Sequence, residues 1–161
     1  MNRYVLPVVF TLIVTITWSG CSSRPATSGP APDFTLEGLD GSMVALSSLK
    51  GQIVILDFWT TWCDPCVEGL EHLQQVSGDY ADQGVVALAI NVEEGRDEVV
   101  KFVQDHGLTL RILLDTDGDV ADAYGVQGIP HKVVVDQEGV IHSIPLGSAD
   151  LEDALRQLSK E

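Results

Sequence analysis

The feature that most constrains this chain is a junction between two hydrophobic periodicities. The run Gln52 to Trp59, QIVILDFW, is a near-continuous stretch of apolar and β-branched residues, as expected of a strand buried on both faces. Shortly after it, Cys63-Asp64-Pro65-Cys66 opens a segment reaching about Tyr80, in which Val67, Leu70, Leu73 and Val76 recur at three-residue steps. Glu68, Glu71 and Gln74 lie between them, the pattern of an amphipathic helix. A strand leading straight into a helix calls for a sheet with helices packed on it.

The rest of the chain continues the alternation. Val85 to Val92 reads as a strand, Asp97 to His106 as a helix, Leu110 to Leu114 as a strand and Val120 to Tyr124 as a short helix. Lys132 to Asp136 and Val140 to Ile144 are strand-like runs joined at Gln137-Glu138-Gly139, which predicts an antiparallel hairpin. Asp150 to Lys160 closes as a helix with Leu151, Leu155 and Leu158 on one face. Ahead of the junction, Asp33 to Leu36 and Met43 to Leu46 flank a turn containing Asp40-Gly41 and predict an N-terminal β-hairpin. The expected fold class is α/β, and no internal repeat interrupts it. Asp115-Thr116-Asp117-Gly118-Asp119 invites comparison with a calcium loop, but Val120 and Val126 stand where an EF-hand needs Gly and Glu. Capping of the following helix is the role expected of these Asp residues.

The first residues have a different character. Asn2-Arg3, an apolar run from Tyr4 to Trp18 and the small residues Ser19-Gly20 carry the three parts of a secretory signal peptide, so residues 1–20 are read as one. The run is shorter than the about 20 residues a membrane span needs, and Pro7 interrupts it. Cys21, directly after Ser-Gly, resembles the lipobox of bacterial lipoproteins, whose cysteine is diacylated and becomes the mature N-terminus; Trp18 stands where Leu is usual. An uncleaved anchor and a soluble secreted form are the alternatives. Residues 21–32 contain SSRPATSGPAP, without hydrophobic period, and read as a lipidated tether, leaving 33–161 as a single domain. Each alternative places the domain outside the cytoplasm, on the periplasmic side where the host has two membranes.

Nine basic against 24 acidic residues give a formal charge of −15, which repels phosphate backbones and excludes nucleic acid as a partner. Three cysteines in a chain with 45% apolar residues are too few for a disulfide framework, so folding rests on burial. With Cys21 assigned to lipid, Cys63 and Cys66 can pair only with each other or with a partner molecule. The first cysteine of such a pair meets the unpaired amides of the helix N-terminus, whose partial positive charge stabilises a thiolate. Cys63 is therefore the expected nucleophile. Cys66, one turn inside the helix, is placed to attack a mixed disulfide and release the product. Pro65 lacks an N–H that the first turn does not use. Asp64 adds negative charge beside the thiols, which disfavours the thiolate and argues for a reductant more than a strong oxidant. The residues leave open a structural disulfide, a zinc site and a copper-carrying site. Against zinc, there is no second CxxC, and His72, His106, His131 and His142 are scattered. No metal or other cofactor is expected.

Asp57-Phe58-Trp59-Thr60-Thr61-Trp62-Cys63-Asp64-Pro65-Cys66, the later Gly128-Ile129-Pro130 and the opening DFTLEGLDG and LSSLKG resemble the extracytoplasmic thioredoxin-like proteins of the TlpA/ResA type, within the redoxin group. The resemblance covers Ala31 to about Lys160. It implies a thioredoxin fold, a mixed central sheet flanked by helices, in which Pro130 is cis and faces the cysteine pair. A trans turn proline is the plain alternative. Ile129 then offers its backbone to an extended substrate by strand addition. Asp57 matches the buried acid of thioredoxins, although the TlpA/ResA branch often differs there. Burial should raise its pKa and let it take the proton of Cys66 during resolution; a satisfied structural Asp is the alternative. Glu94 falls where that branch carries an acid near the active site, although it and Glu93 can both simply be solvated. His131 follows Pro130 where Thr is common, and could stabilise a thiolate or bind a metal with the thiols. Trp62 is expected over the disulfide, with Phe58 and Trp59 in supporting packing.

The resemblance thus implies a monomeric thiol-disulfide oxidoreductase that reduces disulfides of exported proteins, held to the membrane by the lipid on Cys21 and supplied with electrons by a membrane donor. Apocytochrome c is a candidate client. Two rival chemistries remain: a redoxin-type peroxidase, in which Cys63 attacks peroxide, and a copper chaperone using Cys63, Cys66 and His131.

Overall fold

The computed structural model describes residues 28–143 and 148–159. The signal peptide read at residues 1–20 and the lipidation read at Cys21 lie outside them. The strands are β1 (Gly29–Pro30), β2 (Thr35–Gly38), β3 (Met43–Ala45), β4 (Ile53–Trp59), β5 (Val85–Val92), β6 (Arg111–Asp115), β7 (His131–Val135) and β8 (Val140–Ser143). The helices are α1 (Asp64–Tyr80), α2 (Arg96–Asp105), α3 (Asp119–Ala123) and α4 (Ser148–Leu158). Among the described residues the strands form one sheet in the order β1-β8-β7-β4-β5-β6-β2-β3. β4, β5 and β6 run parallel, while β7 pairs antiparallel with β4, so the sheet is mixed. The expected N-terminal hairpin is present as β2 and β3, and it joins the outer edge of β6.

The strand that leads into the cysteines is central because it has no face to show water. Every residue of β4 is buried, and successive side chains point to opposite faces. Val54, Leu56 and Phe58 pack with Leu88, Val133 and Tyr124 on one face. On the other, Ile53 and Ile55 meet Leu73 and Val76 of α1 and Leu151 and Leu155 of α4, while Trp59 meets Cys66, Leu70 and Val99. Full burial of one such side chain stabilises by about 1.5–3 kcal/mol. Helices α1, α2 and α4 therefore share one face, and α3 covers the other. Asp57, in the same alternating file as Ile55 and Trp59, points into the α1 face.

Two local features go beyond the sequence reading. Pairing begins inside the stretch read as tether: β1 adds to β8, the Ala31 N–H donates to the Gly139 carbonyl at 2.9 Å, and the Tyr124 hydroxyl donates to the Pro32 carbonyl at 2.8 Å. A Pro-rich segment is extended by composition, and an extended segment can add to a sheet edge without changing shape. The expected capping of α3 falls to Asp115. Its carboxylate accepts from the Val120 N–H at 3.2 Å and the Ala121 N–H at 2.8 Å, across a turn closed by Gly118 at φ 74°. No helix among the described residues is long and apolar enough to cross a membrane.

Candidate active site

Thr60 to Trp62 carry the chain off the end of β4 and set Cys63 at the N-cap of α1, where no side chain caps the helix. The first-turn amides are left facing the Cys63 sulfur, the arrangement that stabilises a thiolate once the pair is reduced. Cys63 and Cys66 form a disulfide, with Cα atoms 5.2 Å apart, and the Cys66 N–H donates to the Cys63 carbonyl at 2.9 Å. Pro65 occupies the first turn, where a missing N–H breaks no helical bond. Both cysteines are buried, packed with Trp59, Leu70 and Ala89.

Glu94 holds the approach to this turn. Its carboxylate accepts from the Thr61 N–H at 2.7 Å, the Thr61 hydroxyl at 2.5 Å and the Asn91 side-chain amide at 2.6 Å. Three donors on one nearly buried carboxylate tie the end of β5 to the residue two positions before Cys63. Glu93, its neighbour, is exposed.

Beneath α1, Asp57 is 1% exposed. Its Oδ2 accepts from the Lys132 ammonium at 2.9 Å, and its Oδ1 has no hydrogen-bond partner. Burial pushes the carboxyl up to about 6 against the pull of Lys132, because the loss of water around an enclosed carboxylate outweighs one adjacent cation.

On the other side of the cysteines the Ile129–Pro130 peptide bond is cis. Ile129 packs on the group of residues that contains Cys63 and Cys66. Trp62 is 71% exposed and, with Thr60, Val92, Val126 and Ile129, lines an open cleft of about 290 Å³. His131, on the opposite parity of β7 from Lys132, packs its ring 6.1 Å from that of Phe58, and burial lowers its pKa. Phe58 faces α3 rather than α1, so His131 lies in the file of β7 on the α3 side of the sheet. Among the described residues no three His, Cys, Asp or Glu side chains converge as metal ligands.

Three residues of this neighbourhood escape sequence reading: Thr61, Asn91 and Lys132. Lys132 had a usable signal, since a lysine within the buried run HKVVV implies a paired charge. Thr61 has no comparable signal, because its partner Glu94 lies across a strand crossover, whereas Asn91 bonds to Glu94 only three residues further along the chain.

Over residues 27–144 the chain matches the AhpC/TSA family. The curated protein named thiol-disulfide oxidoreductase ResA, of Geobacillus thermodenitrificans, is 37% identical over 133 residues, which are 83% of this chain and 76% of that protein. Among solved structures, one assigned as the thiol:disulfide interchange protein DsbE of Chlorobium tepidum superposes with a TM-score of 0.76 at 29% identity, covering 84% of this chain and 99% of the other. The thioredoxin domain of a thiol-disulfide oxidoreductase from Bacteroides vulgatus gives 0.75 at 27% identity, covering 83% and 98%.

Proposed function

This chain belongs to the AhpC/TSA family and is a thiol-disulfide oxidoreductase of thioredoxin fold, and on that premise we propose that it reduces disulfides of exported proteins from a membrane-anchored position. The observation that carries the reading is the buried Cys63–Cys66 disulfide at an uncapped helix N-terminus, flanked by the cis Ile129–Pro130 bond.

In the proposed cycle both cysteines begin as thiols. The Cys63 thiolate attacks one sulfur of a client disulfide, forming a mixed disulfide and expelling the other client sulfur as a thiolate. Cys66, giving its proton to Asp57, then attacks the Cys63 sulfur and expels the second client thiolate. Two electrons pass to the client, and the Cys63–Cys66 disulfide returns to a membrane donor for re-reduction. The client backbone adds beside Ile129 as an extended strand, with Trp62 and the adjacent cleft receiving its side chains. Glu94 acts by holding the Thr61 turn. Apocytochrome c remains a candidate client, on resemblance alone.

The test is the equilibrium reduction potential of the Cys63–Cys66 couple, titrated against dithiothreitol or glutathione. A reductant falls near about −270 mV, whereas a value near about −120 mV would make the protein an oxidant. Lack of a reversible couple would remove the redox reading altogether.

The anchor is carried by Cys21. Cys21→Ser should move the protein from the membrane fraction to the soluble extracytoplasmic fraction, because acyl chains contribute about 0.8 kcal/mol per buried CH₂ and that contribution disappears with the thioether. Fractionation with unchanged membrane association would show that another segment holds it.

A further inference from the structure

We propose that the cleft beside Trp62 is a specificity subsite that selects clients carrying a cationic side chain, arginine by preference, next to the disulfide under attack. This rests on the reading of Cys63 as the nucleophile that attacks client disulfides, and adds the chemical class of client that the site favours.

The cleft of about 290 Å³ lies at the small end of ligand pockets, which run to about 300–1,000 Å³, and its size suits a single side chain. Ile129 lines it and also packs on the group of residues that contains Cys63 and Cys66. A side chain seated there therefore belongs to a residue close to the client sulfur.

Deep in the cleft stands a hydroxyl without a partner. Thr60 lines it, is only 4% exposed, and its Oγ1 makes no hydrogen bond. An enclosed hydroxyl left unpaired costs free energy, which an entering N–H donor recovers. Val92 and Val126 give apolar walls, and Trp62 offers an exposed ring, so an alkyl stem ending in a flat cation can pack along them.

The mouth is acidic. Glu93 and Asp122 line it and are exposed, and among the described residues that line it none is basic. Glu93 is set in place by its backbone. It has φ 56°, a left-handed conformation that residues other than glycine rarely adopt, and its N–H donates to the Asp115 carbonyl at 2.9 Å. A Cβ on Gly118 would lie 3.0 Å from Glu93 Oε1 and 3.2 Å from its Cγ, so the carboxylate rests against bare backbone at the cleft wall. Glu94, by contrast, has its oxygens taken by Thr61 and Asn91. A guanidinium brings several donors and a flat face, which together answer the carboxylates, the Thr60 hydroxyl and the Trp62 ring. An ammonium answers the charge but does not stack.

The reduced full-length protein is given short peptides whose single cysteine is capped as a mixed disulfide with thionitrobenzoate. Attack by Cys63 on the peptide sulfur breaks that S–S bond, forms a protein–peptide disulfide and expels thionitrobenzoate, the better leaving thiolate. Cys66 then displaces the peptide thiolate and closes Cys63–Cys66. One peptide carries arginine on both sides of the cysteine, the other citrulline, which has the same shape and no charge. The arginine peptide should release thionitrobenzoate about tenfold faster at low ionic strength, and added salt should shrink the ratio. Because the whole chain is acidic, the double variant Glu93→Gln, Asp122→Asn is compared with Asp79→Asn, Asp82→Asn at the far end of α1, which removes the same charge from equally exposed positions. The cleft pair should bring the ratio to about two or below, and the distant pair should leave it near ten. Thr60→Val, which keeps the shape and removes the hydroxyl, should slow both peptides about threefold, since both present N–H donors to it.

Equal rates for the two peptides, a ratio that the distant pair lowers as much as the cleft pair does, or Thr60→Val as fast as the unaltered protein, overturns the subsite and leaves the role of Cys63 standing. Release that persists in Cys63→Ser instead removes the reading on which this one rests.

Discussion

Cys66→Ser should capture clients and never release them. With the nucleophile intact at the helix N-terminus, Cys63 still attacks and forms the mixed disulfide, but the Cys63 sulfur has no neighbouring thiol to attack it. Turnover falls to background while a covalent complex accumulates, visible as a reducible band of higher mass on non-reducing gels. Cys63→Ser should lose turnover equally and capture nothing, because Cys66 is 1% exposed and lies within α1, whereas Cys63 holds the N-cap that the first-turn amides face. The asymmetry between the two variants is the diagnostic result. Equal capture by both would mean that the roles of nucleophile and resolving thiol are not divided as the helix geometry divides them.

Asp57→Asn should slow the protein and stabilise it at the same time. Burial raises the Asp57 carboxyl from an ordinary 3.8 to about 6, so the folded protein binds that proton more tightly than the unfolded chain does. As pH rises from about 4 to about 6, the unfolded state releases the proton first, and stability falls across that window and stays lower above it. A difference of about two units corresponds to about 3 kcal/mol. The substitution removes this penalty, so the oxidised variant should gain up to about 3 kcal/mol in urea unfolding at pH 8 and nothing at pH 4. Lys132, left beside a neutral amide, keeps the gain below that ceiling. Resolution by Cys66 should meanwhile slow by about a hundredfold or more, the usual contribution of a positioned base. A variant that loses stability at pH 8 would show that the ion pair with Lys132 outweighs the burial of Asp57.

Much of this architecture is legible locally. The apolar run that forms β4 is buried throughout, the three-residue steps of α1 seat Leu70, Leu73 and Val76 in the core, and Leu151 and Leu155 of α4 are buried as their spacing implies. Such periodicities depend only on how side chains repeat along one element. Asp57 could be anticipated as buried because it interrupts that run. The space around it could not, since Gly69 and Lys132 are ordinary residues until α1 and β7 are stacked on either side of it.

Sequence alone therefore determined the order of elements from Asp33 onward, the central strand and the cysteine pair at a helix start, because each follows from contacts between near neighbours in the chain. Only the tertiary structure decided that Glu94 would close on Thr61, that His131 would pack its ring beside Phe58, and that Lys132 would meet Asp57 under a bare glycine. Those outcomes depend on strand register and on which face each residue presents. A shift of one residue in the register of β7 would send His131 and Lys132 to the opposite sides of the sheet.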